Sequence, residues 1–127
     1  MKLVLDIKNN SSHVIPDKKL IRDSIYIILK EKNMVGNFEV ALEIVSEKKI
    51  QLLNHKFLKK DFPTDVLSFP IYEKPPSNLK KTVLLGDIFV CYEKIAQNAA
   101  GYGLSVEEEF IKMIKHSGLH LLGCHHK

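Results

Sequence analysis

Residues 116–126, HSGLHLLGCHH, contain three closely spaced histidines and a glycine. They close a predicted helix over 106–122, in which apolar residues recur at helical spacing. Residues four apart on a helix lie on one face, about 5–6 Å apart at Cβ. His116 and His120 can therefore offer two imidazole nitrogens to a single metal ion.

The third metal ligand would come from the residues that follow this helix. Gly123 is suited to a left-handed conformation, which ends the helix and turns the chain back so that His126 completes the trio. His125 could replace His126, and Cys124 could supply a thiolate, so the residues alone leave these alternatives open. A lone histidine pair is often coincidence, but three histidines with a glycine placed for the turn favour zinc. Three protein ligands leave a fourth position open, which is the catalytic arrangement.

Outward from this segment, residues 1–127 are predicted to form one α+β domain, with a mixed, roughly four-stranded sheet and about four to five helices. Ser46 and Ser105 are placed as helix N-caps. The acidic run 107–109 is interpreted as a solvated helix start that suits the helix dipole. Strands are predicted at 2–7, 38–45, 66–71 and 83–91, and helices from Pro16 onward, after Ser46, at 92–100 and at 106–122.

Proline at position 70 predicts the place of the third strand. Because proline cannot donate to a ladder, Pro70 puts this strand at a sheet edge or ends it there. An exposed edge beside a cleft is one way to hold an extended substrate.

Composition and charge narrow the class of protein. The chain has 127 residues, 45% of them hydrophobic, which is enough for one buried core without a disulfide scaffold. Two cysteines and an N-terminus without a signal-peptide pattern predict a cytoplasmic protein that needs no membrane. The net charge of +4 favours a polyanionic partner such as nucleic acid, and Lys56, Lys59 and Lys60 form a basic cluster.

The histidine spacing matches that of zinc peptidases, but the glutamate that should follow the first histidine is replaced by Ser117. Without that general base, peptide hydrolysis is disfavoured. A phosphodiester instead needs charge stabilisation by a metal and neutralisation by lysines, a role that suits Lys59 and Lys60.

Residues 116–126 also resemble the pattern H-G-x-L-H-L-x-G-Y-D-H of the bacterial YbeY family of single-strand-specific endoribonucleases, which are rRNA maturation factors. Three further stretches agree with the resemblance: Leu53-Asn54, TDVLSFP at 64–70, and LGDI at 85–88.

The resemblance implies a compact α+β fold and one zinc ion on His116, His120 and His126. It also implies cleavage of single-stranded RNA in ribosomal RNA maturation and ribosome quality control, with ribosomal particles and assembly factors as partners. With His116, the lysines Lys59 and Lys60 are the candidate catalytic residues.

Four positions depart from the family pattern, namely Leu58, Ser117, Cys124 and His125. His125 stands where the family has aspartate, so the resemblance favours His126 as third ligand. Leu58 replaces an arginine that the family is thought to use on RNA. The neighbouring lysines lack the planar, paired donors with which arginine binds a phosphate and replace them only partly. We therefore expect weak or altered activity. Because the sequence stops one residue after His126, we also expect looser metal binding than in an enclosed site.

The second hypothesis is a non-catalytic RNA-binding module of ribosome assembly with a structural metal, and a metallopeptidase comes third. Asp65 and Asp87 are interpreted as caps of turns or strand ends, or as acceptors that orient an imidazole. Ser68 has no evident base beside it and is not proposed as a nucleophile. His13 and His55 are interpreted as surface residues.

Overall fold

Four strands and four helices follow one another in residues 1–124, the part of the chain that the computed structural model describes. They confirm the predicted α+β domain. The elements are β1 (Lys2–Asn9), α1 (Lys18–Glu31), β2 (Asn37–Val45), α2 (Glu47–Leu58), β3 (Val66–Pro70), β4 (Thr82–Cys91), α3 (Tyr92–Tyr102) and α4 (Val106–Leu121).

The strands form one mixed sheet in the order β1-β2-β4-β3. β1, β2 and β4 run parallel, and β3 pairs antiparallel with β4. β3 therefore lies at a sheet edge and ends at Pro70, as the missing proline N–H predicts.

Most of the apolar core lies between one face of the sheet and helices α1 and α4, which pack against each other. Ile25 of α1 and Ile114 of α4 belong to it. A smaller core cluster lies beneath α2, and its members are Val45, Ile50, Leu67 and Cys91. β3 therefore lies between two packing environments, because both α2 and α4 contact it.

A glycine in β4 allows β3 to come close. Gly86 has a φ of +153°, and a Cβ there would lie 2.3 Å from the Phe69 carbonyl oxygen. A side chain at this position would push β3 off the sheet, so close pairing depends on glycine.

The predicted helix caps are present. Ser46 Oγ accepts from the Lys49 N–H at 3.1 Å. At the start of α4, Ser105 and Glu108 form a reciprocal capping box. These bonds satisfy N–H groups that the first turn of a helix leaves without intrahelical partners.

The interpretation of the acidic run as solvated is wrong for one of its three residues. Glu107 and Glu108 are exposed, but Glu109 is only 1% exposed. Its carboxylate lies 2.8 Å from Lys112 Nζ, and this partner raises the pKa of Lys112. α4 therefore buries a wider face than its apolar residues indicate, since Glu109 and Ser117 are both buried. No helix within residues 1–124 combines the length and apolarity needed to cross a membrane.

Candidate metal centre

Two of the three predicted metal ligands lie on the C-terminal half of α4. His116 and His120 are one helical turn apart, with His116 exposed and His120 partly buried. Their spacing places both rings on the same side of the helix.

The helix ends as the glycine predicts. Gly123 has a φ of +85°. Its N–H donates to the His120 carbonyl at 3.0 Å, and the Cys124 N–H donates to the Leu119 carbonyl at 3.0 Å, which together form a Schellman motif. A Cβ at position 123 would lie 2.4 Å from the Glu73 carbonyl oxygen, so the turn and its packing both depend on glycine.

Ser68 contacts His120 from the neighbouring strand, a feature that the sequence interpretation missed. Its Oγ shares a hydrogen bond with Nδ1 of His120. A neutral imidazole has one donor and one acceptor nitrogen, so the partner at Nδ1 influences whether Nε2 carries a proton or a lone pair. The two residues are 52 positions apart in the chain, and no local pattern links them.

The predicted third ligand, His126, and its alternative, His125, lie outside the residues that the structure describes. Their roles stay predictions. Within residues 1–124, no group of three or more His, Cys, Asp or Glu side chains is arranged to hold a metal ion. Cys124 is partly buried and forms no disulfide.

The predicted basic cluster lies at the end of α2. Lys56, Lys59 and Lys60 are exposed, and Lys59 ends the helix in the left-handed conformation, with φ 57°. α2 packs on β3 and β4, whereas Ser68 of β3 contacts α4. α2, whose C-terminal end carries these lysines, and α4, which carries the histidine pair, therefore contact opposite faces of β3.

Asp65 has a role at the start of β3 rather than at the histidines. Its carboxylate accepts from the Val66 N–H at 2.8 Å and from Asn98 Nδ2 at 3.2 Å. These bonds fit the capping interpretation and connect α3 to β3. Asp87 is exposed on β4, on the face of the sheet opposite the main core.

His13 lies at the surface but makes contacts that the sequence did not predict, and His55 is exposed as predicted. The His13 ring stacks on Tyr92, and its Nε2 lies 3.0 Å from the Glu93 carboxylate. Burial alone would raise the pKa of Glu93, but hydrogen bonds, including one from Cys91, outweigh it and lower that pKa. Burial raises the pKa of the Cys91 thiol to about 11.

Comparisons with known proteins agree on one family. The sequence profile described as Endoribonuclease YbeY matches residues 6–127. A protein named Endoribonuclease YbeY from Persephonella marina is 36% identical over 110 residues, which cover 87% of this chain and 70% of that protein. Another of the same name from Finegoldia magna is 35% identical over 127 residues, covering 98% of this chain and 81% of the relative.

A solved structure agrees in fold. The solution structure of a Thermotoga maritima protein aligns with a TM-score of 0.62 and 28% identity, covering 98% of this chain and 75% of that one. The match of the family profile to nearly all of the sequence shows that this chain belongs to the Endoribonuclease YbeY family.

Proposed function

We propose that this chain is a zinc-dependent endoribonuclease that cleaves single-stranded RNA in ribosomal RNA maturation and ribosome quality control. Membership of the family supports hydrolysis of RNA. The observation that carries the proposal is the pair His116 and His120 on one side of α4, followed by the turn at Gly123. The partners implied are ribosomal RNA, ribosomal particles and assembly factors.

Zinc suits the donors that this region offers. Imidazole is a borderline ligand, and positions four apart on a helix hold two rings close enough to share one ion. In this proposal His116 and His120 are two ligands, and His126 is the third. Bound zinc supplies a Lewis acid that stabilises the negative charge developing on a phosphodiester.

Ser68 is the positioning residue of this centre. If Nε2 of His120 offers its lone pair to a metal, the ring proton resides on Nδ1 and is donated to Ser68 Oγ. This hydrogen bond holds the ring plane and selects the tautomer. Because Ser68 belongs to a paired strand, that orientation is present before substrate arrives.

Lys59 and Lys60 contribute to the reaction by neutralising the negative charge of the RNA. Both are exposed at the C-terminal end of α2, where an ammonium group can neutralise RNA phosphates. Leu58, at the position of the family arginine, has no donor for a phosphate. We therefore expect slower cleavage than an arginine at that position would give, because lysine lacks the planar two-pronged donor.

A cleavage assay tests the proposal. The purified protein is incubated with a short single-stranded RNA and with the matching duplex, with and without a chelator, and zinc is then restored. We expect cleavage of the single strand only, loss with chelator and recovery with zinc. The control is His120→Ala prepared identically, because cleavage that persists in this variant and in chelator comes from a contaminating nuclease.

Binding without turnover would support the second hypothesis. If the zinc-loaded protein binds the single strand tightly but does not cut it, the chain is an RNA-binding module in which the metal only holds the end of α4. That outcome would overturn the enzymatic proposal and leave the metal site intact.

A further inference from the structure

Three large apolar side chains are exposed where α2 ends. Phe57 is 54% exposed, Leu58 49% and Phe62 53%. Exposing two aromatic rings so close together in the chain keeps a large apolar area in contact with water. A surface of this kind indicates a partner for the rings.

The Phe57 ring is held in a defined orientation. It meets Phe69 edge-on, with ring centroids 5.2 Å apart, and Phe69 meets Phe89 in the same manner at 5.8 Å. Lys56 Nζ lies 5.3 Å from the centre of the Phe57 ring. Since its neighbours are partly buried in the sheet, Phe57 forms a rigid platform rather than a loose side chain.

The segment that carries Phe62 is fixed to the same end of α2. Asn54, itself buried, donates from Nδ2 to the Phe62 carbonyl at 2.9 Å, and its own carbonyl accepts from the Lys60 N–H at 3.3 Å. Gln51 Nε2 donates to the Asp61 carboxylate at 3.1 Å. Residues 59–62 therefore fold back on the helix in an ordered turn.

Charge decides the kind of partner. Lys56 Nζ lies beside the Phe57 ring, Lys59 and Lys60 are exposed in the turn that follows, and the whole chain carries a net charge of +4. Aromatic rings set among exposed cations are the combination that binds single-stranded nucleic acid, in which bases stack on rings and lysines neutralise phosphates.

We propose that Phe57 and Phe62 form a base-stacking subsite for single-stranded RNA, on the side of β3 opposite the histidines. The proposal rests on the proposed function and adds how the strand is held. Ser68 contacts His120, and the next residue, Phe69, supports the Phe57 ring. RNA stacked on this side has only the width of the edge strand to pass before it reaches the histidines.

The subsite also accounts for Leu58. An apolar residue cannot bind a phosphate, but beside two exposed rings it extends a surface that receives bases. Recognition by stacking would then replace part of what an arginine fork supplies.

The chain contains no tryptophan, so the fluorescence of a single introduced tryptophan reports only on the position where it stands. Phe57→Trp and Phe62→Trp are each titrated with a 2′-O-methyl single strand of about ten nucleotides, with an abasic strand of equal charge and with a duplex. The control is Val14→Trp, at a position 90% exposed in the loop before α1. We expect the single strand to change the emission at positions 57 and 62 but not at 14, and the abasic strand to bind about tenfold more weakly.

Alanine variants separate stacking from charge. Phe62→Ala should weaken binding of the single strand about tenfold and leave its salt dependence unchanged. Lys60→Ala should instead lower the slope of log affinity against log salt by about 0.7. Melting curves verify that each variant is folded. If Phe57→Ala is destabilised by losing its contact with Phe69, the result for Phe62→Ala decides the test.

Unchanged emission at both positions while the protein binds the strand would overturn the subsite, as would equal affinity for the abasic strand. The surface would then belong to a protein partner. The two proposals fail separately. Stacking without cleavage contradicts only the enzyme, whereas zinc-dependent cleavage with an unchanged KM in Phe62→Ala contradicts only the stacking subsite.

Discussion

The two faces of β3 differ in chemistry, although the strand has only five residues. Ser68 points toward α4 and contacts an imidazole. Leu67 and Phe69 point the other way, into the apolar cluster and aromatic rings beneath α2. Because side chains alternate along a strand, one short edge strand can serve a reactive centre on one face and a substrate surface on the other.

The two faces of β3 should affect different kinetic and binding constants. Changes on the α4 side should alter metal binding and turnover, and changes on the α2 side should alter RNA affinity. The position of β3 itself depends on Gly86, which allows its close approach to β4.

The largest effect is expected for His120→Ala. Loss of a direct ligand should lower turnover by more than the roughly 10–100-fold that losing a supporting residue costs. Single-turnover cleavage of RNA at saturating zinc measures it. Phe57→Ala is the control from the other face and should keep its zinc. Turnover of His120→Ala within about tenfold of the unaltered protein would remove the metal from the mechanism.

Next in size is Ser68→Ala. Without the hydrogen-bond partner of Nδ1, zinc affinity should fall about 10–100-fold, as measured by competition with a chromophoric chelator. Ser68→Thr keeps the hydroxyl group and should restore most of the affinity.

The matched control for that variant is Ser105→Ala at the other end of α4. It removes a capping hydroxyl and should cost about 1 kcal/mol of unfolding free energy without changing zinc affinity. An equal loss of zinc affinity in both variants would mean that Ser68 acts only through stability.

Leu58→Arg should increase activity on the α2 side. A planar donor at this position gains about tenfold in kcat/KM, through a lower KM, if it contacts a phosphate of the bound strand. Leu58→Lys is the comparison and should gain less, because it adds charge without the paired donors. An equal gain from both substitutions would show that charge alone is limiting.

The smallest effect concerns Cys91, in the apolar cluster beneath α2. Its pKa is raised from 9.0 to about 11, so the unfolded chain releases this proton first as the pH rises. Stability should therefore fall by about 1 kcal/mol between pH 8 and pH 10. Denaturant unfolding measures it, and Cys91→Ser should flatten the pH dependence. The same slope in that variant would assign it to other groups.

Local features could be predicted from the sequence because their causes are local. Ser46, Ser105 and Gly123 mark helix ends through bonds to residues within a few positions, and the structure has those bonds. Pro70 correctly predicted an edge strand, since a missing N–H acts wherever the strand lies. The spacing of His116 and His120 needs only a helix.

What the sequence did not predict depends on distant packing. Ser68 lies 52 residues from His120, and His13 lies 80 residues from Glu93. Neither contact produces a periodic pattern in the sequence from which it could be predicted. An acidic run at a helix start is ordinarily solvated, and the burial of Glu109 depends on tertiary packing around α4 that the local sequence does not encode.

The proposed metal ion is bound by imidazoles from α4 and from the residues that follow its final turn. Elemental analysis of the zinc-loaded protein tests this directly, with His126→Ala compared with His125→Ala. We predict about one zinc per chain in the unaltered protein and in His125→Ala, and loss of zinc in His126→Ala. Equal zinc retention in the two variants would contradict the ligand assignment, and an unaltered protein that holds no zinc would contradict the metal centre.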